Sequence, residues 1–254
     1  MISVCMATYN GEGFLREQID SILCQLGPED ELIISDDDST DGTLGIIESY
    51  DDSRIRLLHH RRKPEYARIR HSRNFYYATD NFENALGVAR GDYIFLSDQD
   101  DVWLEGKVEV MLKELQKVDF VMCNYNIIDD KNLMLMEMVI DEKFNFSKGY
   151  MLNLFTTPFL GCLIAFRRNV LYGCIPFPHK LIAHDLWIGC IACKQYKSQF
   201  LNMVLVNHRK HRGNTSNVNV KSINPIWMKI FYRIILLYQL LSHALWRKRG
   251  RNNG

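Results

Sequence analysis

The strongest constraint on the fold is an alternation in the first half of the chain. Residues 1–7, 31–35, 55–58, 93–97 and 120–123 are short apolar runs of strand length, separated by stretches with helical spacing. Residues 14–26 carry apolar side chains at positions 14, 15, 19, 22, 23 and 26, the period of one helix face. Ser39-Thr40-Asp41 supplies capping chemistry ahead of a helix over 43–50; further helices are expected around 81–89 and over 107–117. Strands alternating with helices predict an α/β fold with a mainly parallel sheet and helices on both faces. In such sheets ligands sit beyond the carboxyl ends of the strands.

Three of those strand ends are polar in a way that packing does not require. Thr8-Tyr9-Asn10 follows the first, Asp36-Asp37-Asp38 the second, and Asp98-Gln99-Asp100-Asp101 the fourth. A helix-capping turn would account for one acid at 36–38, not three. Carboxylates this close repel and raise one another's pKa unless a cation offsets them. Two acids one residue apart can share a hard divalent ion through oxygen, and such an ion prefers phosphate oxygens in its remaining positions. A ligand carrying a diphosphate is therefore expected. Gly11-Glu12-Gly13 is not a dinucleotide fingerprint, because Arg16 stands where the third glycine is needed.

The 254 residues, 47% of them hydrophobic, can bury one sizeable core, and no linker-like stretch divides them. A net charge of +1 conceals a division: acids outnumber bases up to residue 142, whereas Asp185 is the only acid among seventeen Lys and Arg in 143–254. The seven cysteines are odd in number, mostly set among apolar neighbours and preceded by no export signal, which predicts reduced thiols and a cytoplasmic protein. Cys190-x-x-Cys193 lacks a second ligand pair, which argues against a zinc site there.

The order and spacing of residues 4–10, Asp36-Asp37-Asp38-Ser39-Thr40-Asp41-Gly42-Thr43, Gly91-Asp92-Tyr93 and Asp98-Gln99-Asp100-Asp101-Val102-Trp103 resemble a family 2 glycosyltransferase of the GT-A fold. Gly161-Cys162-Leu163-Ile164-Ala165-Phe166-Arg167, His184-Asp185-Leu186-Trp187 and His208-Arg209-Lys210-His211-Arg212-Gly213-Asn214 resemble the bacterial rhamnosyltransferase-like subgroup. The resemblance implies a GT-A domain over 1–216, with a nucleotide-sugar and metal half (1–124) and an acceptor half (125–216), followed by a basic tail over 217–254. It implies inverting transfer of a sugar from a UDP- or dTDP-sugar to an acceptor hydroxyl, metal-assisted by Mg or Mn, in surface polysaccharide synthesis, with a saccharide acceptor that is lipid-linked. Nucleic acid is not an expected partner. Ala7, Thr8 and Tyr9 would line the base pocket, Asp37 would accept from the N3 of uracil or thymine, and Asp36 would hold that turn. Asp98 and Asp100 would take the metal, with Asp98 also near the ribose, and Asp101 would bind it directly or orient a ligand. Arg209 and His211 would face the diphosphate. Asp185 would be the base that takes the acceptor's proton, unless it is only a helix cap, and His184 would orient it or simply pack.

Some stretches depart from the pattern or stay open. Asp38 stands where many relatives have Gly or Asn, residues 59–74 are rich in Arg and His for a connector, and the Met-rich run 133–138 is either acceptor-facing or buried. Residues 226–246 are apolar but interrupted by Lys229, Arg233, Gln239 and His243 and followed by a basic cluster. An amphipathic helix over 226–251 would lie on an anionic membrane surface or pack on protein. A nucleotidyltransferase and a non-catalytic sugar-nucleotide or membrane-binding module are the alternative functions.

Overall fold

The computed structural model describes residues 1–69, 73–146, 149–181, 183–211 and 226–252. Val4, Cys5 and Met6 in β1 (Ile2–Thr8) have no solvent exposure, since α1 (Leu15–Leu23) leads into β2 (Glu31–Asp37), which pairs beside β1 in parallel. Each aliphatic side chain so buried contributes about 1.5–3 kcal/mol. After α2 (Thr43–Glu48), β3 (Ile55–His60) adds outside β2. A 3-10 turn (Pro64–Arg68) and α3 (Arg73–Val88) then return the chain to β4 (Tyr93–Ser97) on the other side of β1. These four strands are all parallel, as the alternation predicts. α3 begins before the expected 81–89, and Arg73-Asn74-Phe75 forms its first turn.

The second half departs from the parallel rule. β5 (Val102–Trp103) and α4 (Lys107–Leu115) precede β6 (Phe120–Ile128), which folds back as a hairpin with β7 (Met134–Met136). α5 (Tyr150–Thr156) and a 3-10 turn (Gly161–Leu163) lead into β8 (Ile164–Arg167). That strand slots antiparallel between β4 and β6. α6 (Arg168–Cys174) and α7 (His184–Gln195) then bring the chain to β9 (Ser198–Arg209), parallel to β6 and antiparallel to β5. The order is β3-β2-β1-β4-β8-β6-β9-β5, and four of eight pairings are parallel. The sheet is thus parallel in its first half and mixed overall.

The expected boundary at 216/217 and the residues Arg212, Gly213 and Asn214 lie outside the described residues. The tail helix, α8 (Ile226–Asn252), presents two faces. Leu236 and Leu240 are buried, Arg233 Nε donates to Leu154 O at 2.8 Å, and the His243 ring meets Trp187 edge-on at 5.3 Å. The other face exposes Trp227, Ile230, Phe231, Ile234, Tyr238, Leu241 and Leu245 at helical spacing, next to exposed Met151, Leu152 and Phe155 of α5. Packing on the domain is therefore settled for one face, while the opposite stripe remains apolar and open. Among the described residues no helix is long and apolar enough to cross a membrane.

Candidate active site

The carboxyl ends of β1, β2 and β4 converge because the parallel register aligns them: Thr8 stands beside Asp36, Met6 beside Ser97, and Asp37 beside His60. Asn81 on α3 ties the first two together, its Nδ2 donating to Thr8 O at 3.2 Å and Ser35 O at 2.8 Å. Asp36 is consumed by its turn, accepting from Ser39 N, Ser39 Oγ and Thr8 Oγ1 at 2.9, 2.6 and 2.9 Å. Asp38 has φ of 58°, in the left-handed region that Gly and Asn adopt most easily.

A cavity of about 400 Å³ opens over these ends, within the range of small-ligand sites. Ala7, Thr8, Tyr9 and Asp37 line one end. Asp37 is 1% exposed and carries two partners the sequence reading did not assign: His60 Nδ1 at 2.9 Å and Arg62 Nε at 2.7 Å. The Arg62 guanidinium also lies 3.2 Å over the Tyr9 ring and 4.5 Å over Tyr77. The carboxylates of Asp37 and Asp80, 2.9 and 3.3 Å from its two ring nitrogens, push His60 up to about 9, so it is an imidazolium at neutral pH, and Asp80 also holds Lys63. The cationic run in 59–74 thus supplies counter-ions to buried acids. That excess of Arg and His was the visible signal for it.

Asp98 and Asp100 line the same cavity. Gln99, between them, was overlooked. Its Oε1 accepts from Tyr9 N at 2.8 Å and its Nε2 donates to Tyr9 O at 3.1 Å, so the amide locks the acidic loop to the β1 loop as a strand neighbour would. Gly11 makes this possible, since a Cβ there would lie 2.5 Å from Gln99 Oε1. Burial, then the charges of Asp101 and Asp100, raise the Asp98 carboxyl far above the usual range. Asp101 is fully buried. Burial alone would raise it, but His208 at 2.8 Å and the Arg209 N–H at 3.0 Å hold it below the usual range, while its Oδ2 has no hydrogen-bond partner among the described residues. Opposed by burial, the three carboxylates still raise His208. Clustered acids with an orphaned buried oxygen are a donor set suited to a divalent cation.

Two expectations for the closing segment separate. His211 lines the cavity, its Nε2 2.7 Å from Asp100 Oδ2 and its ring 4.7 Å from Phe14. Arg209, expected at the diphosphate, points elsewhere: it is 1% exposed and donates to Asp100 O, Asp129 O, Asn132 Oδ1 and Glu17 Oε2 at 2.9, 3.2, 2.6 and 2.7 Å. A buried guanidinium must satisfy its donors inside the protein, so Arg209 clamps the acidic loop to α1 and the β6–β7 hairpin. The hairpin's apolar side chains Leu133 to Met136 are exposed, so burial is excluded for that run.

Asp185 enters the same cavity from α7, on the side of the basic half. Ala183 holds the N-cap position; Asp185 stands in the first turn and accepts from Leu186 N at 2.7 Å, satisfying one of the free N–H groups at that helix end. Burial pushes its carboxyl up to about 6 against that hydrogen bond. His184 stacks on Phe82 at 4.1 Å, and burial brings it down to about 3, so it is neutral. Its Nε2 faces Gly161, where a Cβ would come within 3.2 Å.

The glycosyl transferase family 2 model matches residues 3–173. The UDP-Glc:alpha-D-GlcNAc-diphosphoundecaprenol beta-1,3-glucosyltransferase WfgD of Escherichia coli is 28% identical over 99% of this chain and 98% of its own length. The dTDP-rhamnosyl transferase RfbG of Shigella flexneri is 38% identical over 41% of this chain and 34% of its own. Among solved structures, S. aureus TarS 1-349 in complex with UDP-GlcNAc superposes with a TM-score of 0.60 at 18% identity, over 86% of this chain and 61% of that one. Mannosyltransferase PcManGT from Pyrobaculum calidifontis, in complex with GDP-Man and Mn2+, gives 0.57 at 22%, over 84% and 58%. At these identities the two structures speak to the fold alone.

Proposed function

The chain belongs to glycosyl transferase family 2, and from that premise we propose that it is an inverting glycosyltransferase moving a hexosyl unit from a UDP- or dTDP-sugar to a hydroxyl of a lipid-linked saccharide, in surface polysaccharide synthesis. The observation that carries this reading is a desolvated carboxylate, Asp185, in the same cavity as Asp37, Asp98 and Asp100 but delivered from the opposite half of the chain. One end would hold the base, with Tyr9 against its ring and Asp37 on its N3. Arg62 is then positioned to follow the base rather than stay on Tyr9.

Asp98 and Asp100, with His211 beside Asp100, would hold a magnesium or manganese ion, whose charge neutralises the departing diphosphate. Asp185 would accept the acceptor hydroxyl's proton as the oxygen bonds to the anomeric carbon and the bond from that carbon to the diphosphate oxygen breaks. The electron pair leaves with the diphosphate, and attack from the face opposite it inverts the centre. An elevated pKa suits this role, because a base near the working pH accepts a proton most effectively.

The name of WfgD favours a UDP-sugar donor and a lipid-diphosphate saccharide acceptor, and that of RfbG a dTDP-sugar donor. An acceptor of that kind sits at a membrane, which fits the open apolar stripe of α8 and the basic cluster that follows it in sequence. We read this as peripheral attachment to the inner face of the plasma membrane. The test is product analysis with a panel of UDP- and dTDP-sugars and a synthetic diphospholipid-linked GlcNAc. Release of nucleoside diphosphate together with a longer lipid-linked saccharide is expected. Pyrophosphate release from a nucleoside triphosphate and sugar phosphate would instead make it a nucleotidyltransferase.

A further inference from the structure

Asp98 belongs to a donor set of different character that runs from the cavity into the interior. One ligand atom from each of Asp98, Asp101, Cys162 and His208 falls within 4.8 Å of the others. They come from three separate segments, the acidic loop after β4, the 3-10 turn 161–163 and the end of β9. Asp101 and Cys162 are fully buried, His208 is 3% exposed, and Cys162 Sγ lies 4.0 Å from His208 Nδ1. The Oδ2 of Asp101 is buried without a hydrogen-bond partner among the described residues. Asp98 and His208 both reach the cavity, which gives an entry path.

We propose that these four side chains form a second cation site, sharing Asp98 with the oxygen-lined position at Asp98 and Asp100 beside His211, that takes a borderline-soft divalent ion of the zinc class. Its occupation withdraws Asp98 from the donor and so inhibits. Magnesium and manganese favour oxygen ligands, whereas one thiolate, one imidazole and two carboxylates make a four-ligand set suited to zinc. Bonds of about 2.0–2.3 Å put tetrahedral ligands about 3.4–3.8 Å apart, so the widest separation here must close by about 1 Å. Outer contacts already orient the set: Arg209 N donates to Asp101 Oδ1 at 3.0 Å, and Lys107 Nζ donates to Cys162 O at 2.8 Å. Lys107 Nζ is buried 3.8 Å over the Trp103 ring beside the set, and with Cys162 ionised the four ligands are net negative.

The probe is Co2+, titrated into the full-length protein carrying Cys24→Ser, which removes the exposed thiol, with excess Mg2+ to fill the oxygen-lined position. One equivalent should bind with a thiolate-to-cobalt charge-transfer band and a tetrahedral spectrum, both displaced by Zn2+. Cys162→Ser should abolish the band, and His208→Gln should weaken Zn2+ binding at least about tenfold. Zn2+ should raise the apparent Kd for the nucleotide sugar. A cobalt spectrum without a thiolate band, or a band that survives Cys162→Ser, overturns the proposal. If Cys162→Ser fails to fold, judged by near-ultraviolet circular dichroism, the parent spectrum and His208→Gln decide. The inhibition rests on the transferase reading, but the cobalt spectrum needs no turnover, so either can fail without the other.

Discussion

Asp185→Asn should make the protein more stable and nearly inactive at once. A carboxyl whose folded pKa is about 6, against about 3.8 when exposed, prefers its proton in the folded state. Ionising it therefore opposes folding. That cost is absent below the unfolded pKa, develops as pH rises between about 4 and 6, and is complete above 6. The upward shift of about two pKa steps corresponds to about 3 kcal/mol, and partial contact with solvent through the cavity reduces it to about 1–3 kcal/mol. Asparagine removes the charge but keeps an oxygen for the Leu186 N–H. In a chain of this size the gain corresponds to about 2–10 °C in Tm at pH 8, vanishing near pH 4. Transfer should fall about 10²–10⁴-fold with donor affinity retained. The parent enzyme's kcat/KM should drop about fivefold between pH 6 and pH 5, because only the ionised carboxylate accepts a proton. Thermal denaturation of both proteins across pH 4–8, with nucleoside diphosphate release measured in parallel, tests the argument. Equal Tm at pH 8 would refute the desolvation, and retained transfer would remove Asp185 as base.

Three further outcomes test other parts of the site. Gly11→Ala should cost about 1–3 kcal/mol in urea denaturation and weaken nucleotide-sugar binding measured by calorimetry, since its methyl group would displace the Gln99 amide from Tyr9; an unchanged pair of values would show that this lock is dispensable. Asp100→Ala should abolish the dependence of turnover on added Mg2+ or Mn2+, read as nucleoside diphosphate release against metal concentration, and an unaltered metal curve would move the metal elsewhere. Exchanging Trp227, Ile234 and Tyr238 for serine together should reduce sedimentation with anionic liposomes at least about fivefold, with Tm held because these side chains are exposed; unchanged sedimentation would sink the membrane contact. Deleting α8 is the poorer experiment, as it would also strip Leu236 and Leu240 from the core.

The parallel half of the fold and its acids were legible because they are local. Strand-length apolar runs, helical spacing and polar residues at strand ends are all written within a few positions, and the parallel register does the rest. β8 was not legible as a strand: four residues between a 3-10 turn and a helix carry little periodicity, and its antiparallel insertion between β4 and β6 depends on both neighbours. The placement of α8 was half legible. Its sequence announces amphipathicity, but only the packed domain shows which face is occupied.

The same division runs through the site. Chemistry-bearing residue types were determined by the sequence itself: three acids after an apolar strand, one acid alone in a basic half, a basic connector. What each side chain does was decided by the tertiary structure, because a charge is assigned by what lies within a few ångströms of it rather than by its neighbours along the chain. Arg209 and His211 are two residues apart, yet one is sealed among five acceptor-bearing groups and the other opens onto the cavity. Asp100 and Asp101 are adjacent, yet Asp100 lines the cavity beside His211 while Asp101 lies buried against His208. Strand pairing, not spacing, set those environments, and with them the directions of the pKa shifts on which the proposed chemistry depends.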